Sequence, residues 1–455
     1  MDVGPTAGAL PEGSTMITRR RTLGLLAAGT LPVLAACGPN AAGGSGGSGG
    51  SGGDGSAVRI YWWGGDLRNG LTRDALDLFT QAHADISVSP EYSEWTGYWD
   101  KLATQFAGGD APDVLQMDEA YIDSYGTRDS LLDLEAVSDL LDLSAMDEAV
   151  LDTGRLADGT LVGAPLGVGI FSVGVNPEIL EQAGLDMPDD TSWTWDDFAE
   201  ITGAVSDWAK EADEDIIGFD FFGTSAAELG AWARQSGEQL FPREDETLVS
   251  KDTIVAYLEY ALALVESGAV VGPSEQIEDF AAGVEQGRFG TSRAAFHLQF
   301  HTQVQTFQKS TGAPLQLLRL PARTSGDPQM VNKASMYWSI AAGSKAVDSA
   351  ATLVNFLLRD PEAAKILRIE RGVTSFPELQ DEIATVLDDD EMVSLDFARD
   401  MQAEVVRPPL VTPASGVGFG DELSRLGEES LFGNRPPADV ADELLTLLEG
   451  MQPES

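Results

Sequence analysis

Apolar side chains recur along this chain with two periods, and the switch between them marks out its elements. Residues 58–63 (Val-Arg-Ile-Tyr-Trp-Trp) form an apolar run of strand length that stops at Gly64-Gly65, which predicts a buried strand. Leu71, Ala75, Leu78, Phe79 and Ala82 then recur at helical spacing and predict an amphipathic helix. Residues 86–92 alternate as a second strand. Trp99, Leu102 and Phe106 share one face of a second helix, which Gly108-Gly109 ends, and residues 111–117 supply a third strand. Strand and helix in alternation imply an α/β layer on a parallel sheet. Ligands of open α/β sheets bind beyond the carboxyl ends of the strands, which brings Trp63, Glu94-Trp95 and Asp118-Glu119 to one edge.

The pattern continues through the rest of the chain. Residues 163–169 are glycine-rich and apolar and read as an extended crossing with close backbone approach. Asn176-Pro177 starts a short helix that ends near Gly184. Thr194-Trp195-Asp196-Asp197 opens another in the manner of a capping box, with Phe198, Ile201, Val205 and Trp208 as its buried stripe. Asp360-Pro361 starts a helix by the same cap-and-proline logic, and residues 437–451 close the chain as an amphipathic helix.

The first 56 residues read differently. Arg19-Arg20-Arg21 precedes an apolar stretch, residues 23–36, broken by Gly24, Gly29 and Pro32. It is shorter than the ~20 apolar residues of a membrane span and fits a cleavable export signal. Met16 lies just upstream and offers a second start. Arg20-Arg21-Thr22-Leu23 is loosely twin-arginine-like, and both that route and the general secretory route stay open. The stretch ends in Leu34-Ala35-Ala36-Cys37, similar to the lipobox of bacterial lipoproteins, so Cys37 is the expected acceptor of a lipid. It is the sole cysteine, which excludes an internal disulfide. Residues 38–56, dominated by Gly and Ser, read as a flexible tether of about 25 Å.

About 400 residues remain, enough for two or three domains, and 43% hydrophobic content with nine Trp supplies cores. A formal net charge of −46 repels phosphate backbones and excludes nucleic acid as a partner. The acidity itself reads as a solvated surface.

In this order, the landmarks resemble the extracellular sugar-binding proteins of bacterial ABC importers, the family 1, maltodextrin-binding type. The matching pieces are the lipobox, Trp62-Trp63-Gly64-Gly65, residues 109–114 (Gly-Asp-Ala-Pro-Asp-Val), Ala164-Pro165, and Val175-Asn176-Pro177. They continue with Ser344-Lys345, Phe356-Leu357, residues 360–363 (Asp-Pro-Glu-Ala), Arg371-Gly372-Val373, and Leu431-Phe432-Gly433 before the final acidic helix. Nearly the whole mature chain is covered. One departure is Thr374-Ser375, where the family often has Pro after Gly-Val. The resemblance implies the two-lobed α/β periplasmic-binding-protein fold of type II. Its lobes would be 57–166 with 334–376, and 167–333 with 377–455, preceded by a signal peptide (1–37) and tether (38–56). Ligand would sit in the cleft and close the lobes by a hinge motion. The implied partners are a sugar, the transmembrane subunits of a permease, and the membrane through the lipid anchor. The protein would act as a monomer on the outer face of the cytoplasmic membrane, with no cofactor and no metal.

A sugar site needs aromatic platforms for C–H faces and planar amides or carboxylates for paired hydroxyls. Trp63, at a strand end beside two glycines, fits either cleft or core. Glu94 and Trp95 lie in the loop after the second strand. Asp118, after the third, is favoured over Glu119, against a role as a helix cap. The resemblance implies that the helix over 226–236 lies near the cleft, so Trp232 is a candidate there, or else a core aromatic. In residues 296–301, Phe296, Leu298 and Phe300 point one way and His297, Gln299 and His301 the other. The polar set reads as a cleft wall and nominates Gln299 and His301. Those two histidines stand about 13 Å apart at ~3.3 Å per strand residue, too far to share a zinc ion. Tyr337-Trp338 falls at an implied lobe crossing, with Trp338 taken as the candidate. Phe419, between Gly418 and Gly420, matches a family aromatic position.

No body cysteine, zinc signature or phosphate loop suggests an enzyme, and the histidines are only three. A carboxylate pair for glycoside hydrolysis leaves a secreted glycosidase as the alternative reading; a structural surface lipoprotein would have no use for a hinged cleft.

Overall fold

The computed structural model describes residues 57–324 and 328–452; the export segment, the tether and Cys37 lie outside the described residues. Ten strands among these build two sheets. They are β1 (Ala57–Trp63), β2 (Ser87–Ser93), β3 (Val114–Met117), β4 (Ala164–Pro165), β5 (Val168–Val175), β6 (Ile217–Phe219), β7 (Ala294–Phe300), β8 (Gln316–Leu318), β9 (Asn332–Ala334) and β10 (Tyr337–Ile340). The first sheet runs β2-β1-β3-β10-β4, and the second β6-β7-β5-β8, with β9 on the early part of β5.

The opening elements follow the apolar pattern closely, with helices at Asp66–Ala82 and Trp95–Gly108 between the first three strands. The first helix is rotated slightly from its expected stripe: it buries Thr72, Ala75, Leu76 and Phe79. The parallel sheet expected of the three opening strands is found, but it does not extend to the rest of the chain. Only β1–β2, β1–β3 and β6–β7 are parallel, while β10 is antiparallel to β3 and β4, and β5 to β7, β8 and β9. The chain leaves the first sheet along β4 and β5 and returns beside them along β9 and β10, so outgoing and returning strands oppose each other.

These crossings define the geometry between the sheets. Leu166 and Gly167 carry the chain out, and Ser335 and Met336 carry it back, cross-linked by Ser335 N–H to Gly167 O (2.9 Å) and Leu166 N–H to Met336 O (2.9 Å). A third segment joins them where Val168 N–H donates to Val373 O at 2.8 Å. A Cβ on Gly167 would stand 2.7 Å from the Gly372 carbonyl carbon, so only glycine lets these backbones touch.

Caps place the helices as their sequences indicate. Asn176 caps Pro177–Ala183, Thr194 and Asp197 complete a capping box on Trp195–Ala212, and the Asp360 carboxylate accepts from two amides of Pro361–Leu367. Trp195–Ala212 buries Trp195, Phe198, Thr202, Val205 and Ala209, leaving Ile201 and Trp208 only partly covered.

The helix Ala226–Arg234 contains a buried carboxyl, Glu228, which accepts from Gly223 N–H (2.9 Å) and Tyr257 O–H (2.8 Å). Burial dominates these bonds and pushes Glu228 up to about 7. A carboxyl raised in the folded state holds its proton longer there than in the unfolded chain. Its share of stability is therefore full below the ordinary glutamate range and drains as pH climbs towards 7. At about 1.4 kcal/mol per pKa unit the loss is on the order of 3 kcal/mol. Urea unfolding of wild type and Glu228→Gln at pH 5 and pH 8 should show wild type losing ground to the variant as pH rises; parallel curves would contradict it.

Candidate functional site

A cavity of about 260 Å³ lies between the two sheets. The first sheet and its loops give it Glu119, Thr153 and Tyr337, and the second gives Phe171, Phe300 and Lys333. Phe171 and Phe300 are opposite partners on β5 and β7, their rings 5.4 Å apart, both part-buried. Aromatic carbon exposed to a cavity is where the face of an apolar or amphipathic ligand gains most. Phe241 and Phe419, edge to face at 6.3 Å, add a second aromatic corner.

The polar lining is sparse. Lys333, on β9, forms an ion pair with Glu119, in the first turn of the helix Glu119–Gly126, and its ammonium also stands over Phe300, 5.5 Å from the ring centre. Burial opposes the charge of Lys333, yet Glu119, with Asp118 behind it, holds the ammonium above the usual lysine range. Thr412 O–H donates to Glu119 at 3.4 Å. Ala226, Ala227, Gly230 and Arg234 border the cavity from their helix; the spacing 226, 230, 234 is one helical face, and its small residues keep the wall open.

Of the residues nominated from sequence, Phe419 borders this cavity, and Asp118 is next to one that does. Asp118 caps its helix by accepting from Ala120 N–H at 3.0 Å, and burial raises its pKa. Trp63, Trp95, Trp99 and Tyr121 form an aromatic cluster at the carboxyl ends of β1–β3, Trp63 meeting Trp95 edge-on at 5.1 Å. Trp95 is 42% exposed there, and Glu94 at the start of its helix is exposed too; this cluster does not border the cavity.

Four nominations lie elsewhere, for reasons of periodicity. Trp232 is two positions from Gly230, so it leaves the opposite side of the helix and packs among Trp195, Phe222, Tyr257 and Tyr260. Trp338 is buried on the far face of β10 under Arg371, whereas its neighbour Tyr337 faces the cavity. On β7 the polar face is turned away from the cavity and Phe300 reaches it. Gln299 is buried, and His301 accepts from Ile170 N–H at 2.8 Å in a site where burial pushes its pKa down to about 3 and keeps it neutral. His297 is bound to Asp220 at 2.6 Å among Phe221, Phe289 and Phe307. The polar residues Gln299 and His301 are themselves buried, so polar alternation did not mark the side of the second sheet that borders the cavity. Phe300, Lys333 and Arg234 were not nominated, and Tyr337 was singled out only as a pair with Trp338; the small residues Ala226, Ala227 and Gly230 are a sequence signal that could have found this wall.

The model of the family described as "Bacterial extracellular solute-binding protein" matches residues 74–392. The chain belongs to that family. As an extracellular solute-binding protein it is a non-enzymatic component of transport. A relative, the lactose-binding protein of Rhizobium radiobacter, is 28% identical over 198 residues, which is 42% of this chain and 44% of that protein; the match spans under half of the relative's length. Among solved structures, a periplasmic solute-binding protein from Pectobacterium atrosepticum aligns with a TM-score of 0.74 at 22% identity, over 87% of this chain and 100% of that one. A periplasmic oligogalacturonide-binding protein from Yersinia enterocolitica aligns with a TM-score of 0.71 at 21% identity, over 87% and 100%. These likenesses establish the two-lobed periplasmic-binding-protein fold.

Proposed function

We propose that this solute-binding protein captures a mono- or oligosaccharide in the cavity between its sheets and delivers it to the transmembrane subunits of an ABC importer. The observation that carries the reading is the lining itself: part-exposed aromatic carbon on Phe171 and Phe300, opposed by a few fixed polar groups. Sugars combine flat C–H faces with hydroxyls, and this pairing suits them. A volume near 260 Å³ is just below the usual range for small-molecule sites and favours one or two rings. The lactose- and oligogalacturonide-binding relatives support the same class.

The crossings at Gly167, Ser335 and Gly372 would serve as hinges, dividing the lobes at about 166/167, 333/334 and 376/377. Cys37 would carry a lipid that moors the protein to the outer face of the cytoplasmic membrane, with residues 38–56 as tether. Differential scanning fluorimetry against a panel of mono- and disaccharides tests the reading. A sugar-dependent rise in Tm that grows with ligand concentration is expected, without release of reducing ends. A flat response to every sugar would refute it.

A further inference from the structure

Arg234 is the last residue of the helix Ala226–Arg234, borders the cavity and is only part-buried. Its guanidinium makes no ion pair or hydrogen bond among the described residues, and its Nε is a buried donor with no acceptor. Elsewhere the guanidinium groups on this surface meet carboxylates readily, as a chain with 74 acidic and 28 basic residues allows; Arg319, for instance, holds Asp190 and Glu404 together. A lone arginine beside the cavity is therefore conspicuous. Burial alone depresses its pKa, to about 10, and it stays charged at neutral pH. The helix C-terminus offers it a favourable dipole, but that supplies no acceptor for Nε.

The charge of the lining points the same way. Arg234 and Lys333 are two cations, and Glu119 is the one carboxylate facing them, already engaged by Lys333. The cavity wall of a strongly acidic protein thus carries an excess positive charge, and field lines in a low-dielectric cleft concentrate it. A guanidinium fork matches the two oxygens of a carboxylate, and it binds them more strongly than neutral hydroxyls.

We propose that the preferred ligand is an acidic saccharide, with its ring carboxylate on Arg234 and a ring face on the Phe171–Phe300 pair. This deepens the sugar-binding reading and rests on it. Calorimetric titration with matched pairs tests it: galacturonate against galactose, glucuronate against glucose, and digalacturonate against galactobiose. At least one acidic member should bind tenfold or more tightly than its neutral partner, and that preference should shrink in 0.5 M salt, where charges are screened. Arg234→Gln should reduce the preference to within threefold, and Arg234→Lys should leave an intermediate value. If the neutral members bind as tightly or better, or Arg234→Gln keeps the preference, the acidic-ligand inference falls while sugar binding stands. If no member of any pair binds, both fall.

Discussion

Trp232→Ala is expected to lower folding stability by about 3–5 kcal/mol while the folded fraction keeps its ligand affinity within about threefold. The indole is 5% exposed and sits within 6.4 Å, centre to centre, of Trp195, Phe222, Tyr257 and Tyr260, with the Arg323 guanidinium 4.8 Å from its ring centre. Truncation removes the middle of that cluster, and aromatic neighbours this large cannot collapse into the gap. Trp232→Phe should cost much less, because the indole N–H has no acceptor to lose. Urea unfolding with titration of the same samples separates stability from binding. A stable Trp232→Ala protein that no longer binds sugar would move this residue into the site.

Phe300→Ala should have the opposite signature. Loss of a part-exposed platform is expected to weaken sugar binding ten- to a hundredfold, about 1.4–2.8 kcal/mol, through lost apolar contact and ring stacking. Its stability penalty should be smaller than that of Trp232→Ala, since part of the ring already faces the cavity. The neighbouring Gln299 is the control. It is 1% exposed, and neither of its amide atoms finds a partner. Gln299→Leu should therefore leave affinity within threefold and stability unchanged or improved. Titration calorimetry on the three proteins decides the matter. Loss of affinity in Gln299→Leu with affinity kept in Phe300→Ala would show that the polar face of β7, not Phe300, meets the ligand.

Much of this was legible from one-dimensional pattern. The opening strand–helix units, the caps at Asn176, Thr194 and Asp360, and the close approach at Gly167 all rest on interactions within a few residues or on a backbone that excludes a Cβ. The site was legible only in part. Phe419, named through family resemblance, borders the cavity, as does Glu119, the second choice beside Asp118, because cap and cavity wall are adjacent in the chain. Of the pair Tyr337-Trp338 only Tyr337 borders the cavity: the two must face opposite sides of β10, and composition does not say which side is open.

Sequence alone determined the local conformations, the alternation of strands and helices, and the family, because hydrogen-bonding caps, glycine and apolar period act over short range. Only the tertiary structure decided which face of each element borders the cavity and which strands run antiparallel. That choice depends on what covers the other face, and those partners come from segments far away in the chain. Arg234 owes its lack of an ion pair among the described residues to the same cause: no local spacing records which carboxylates the fold brings near it.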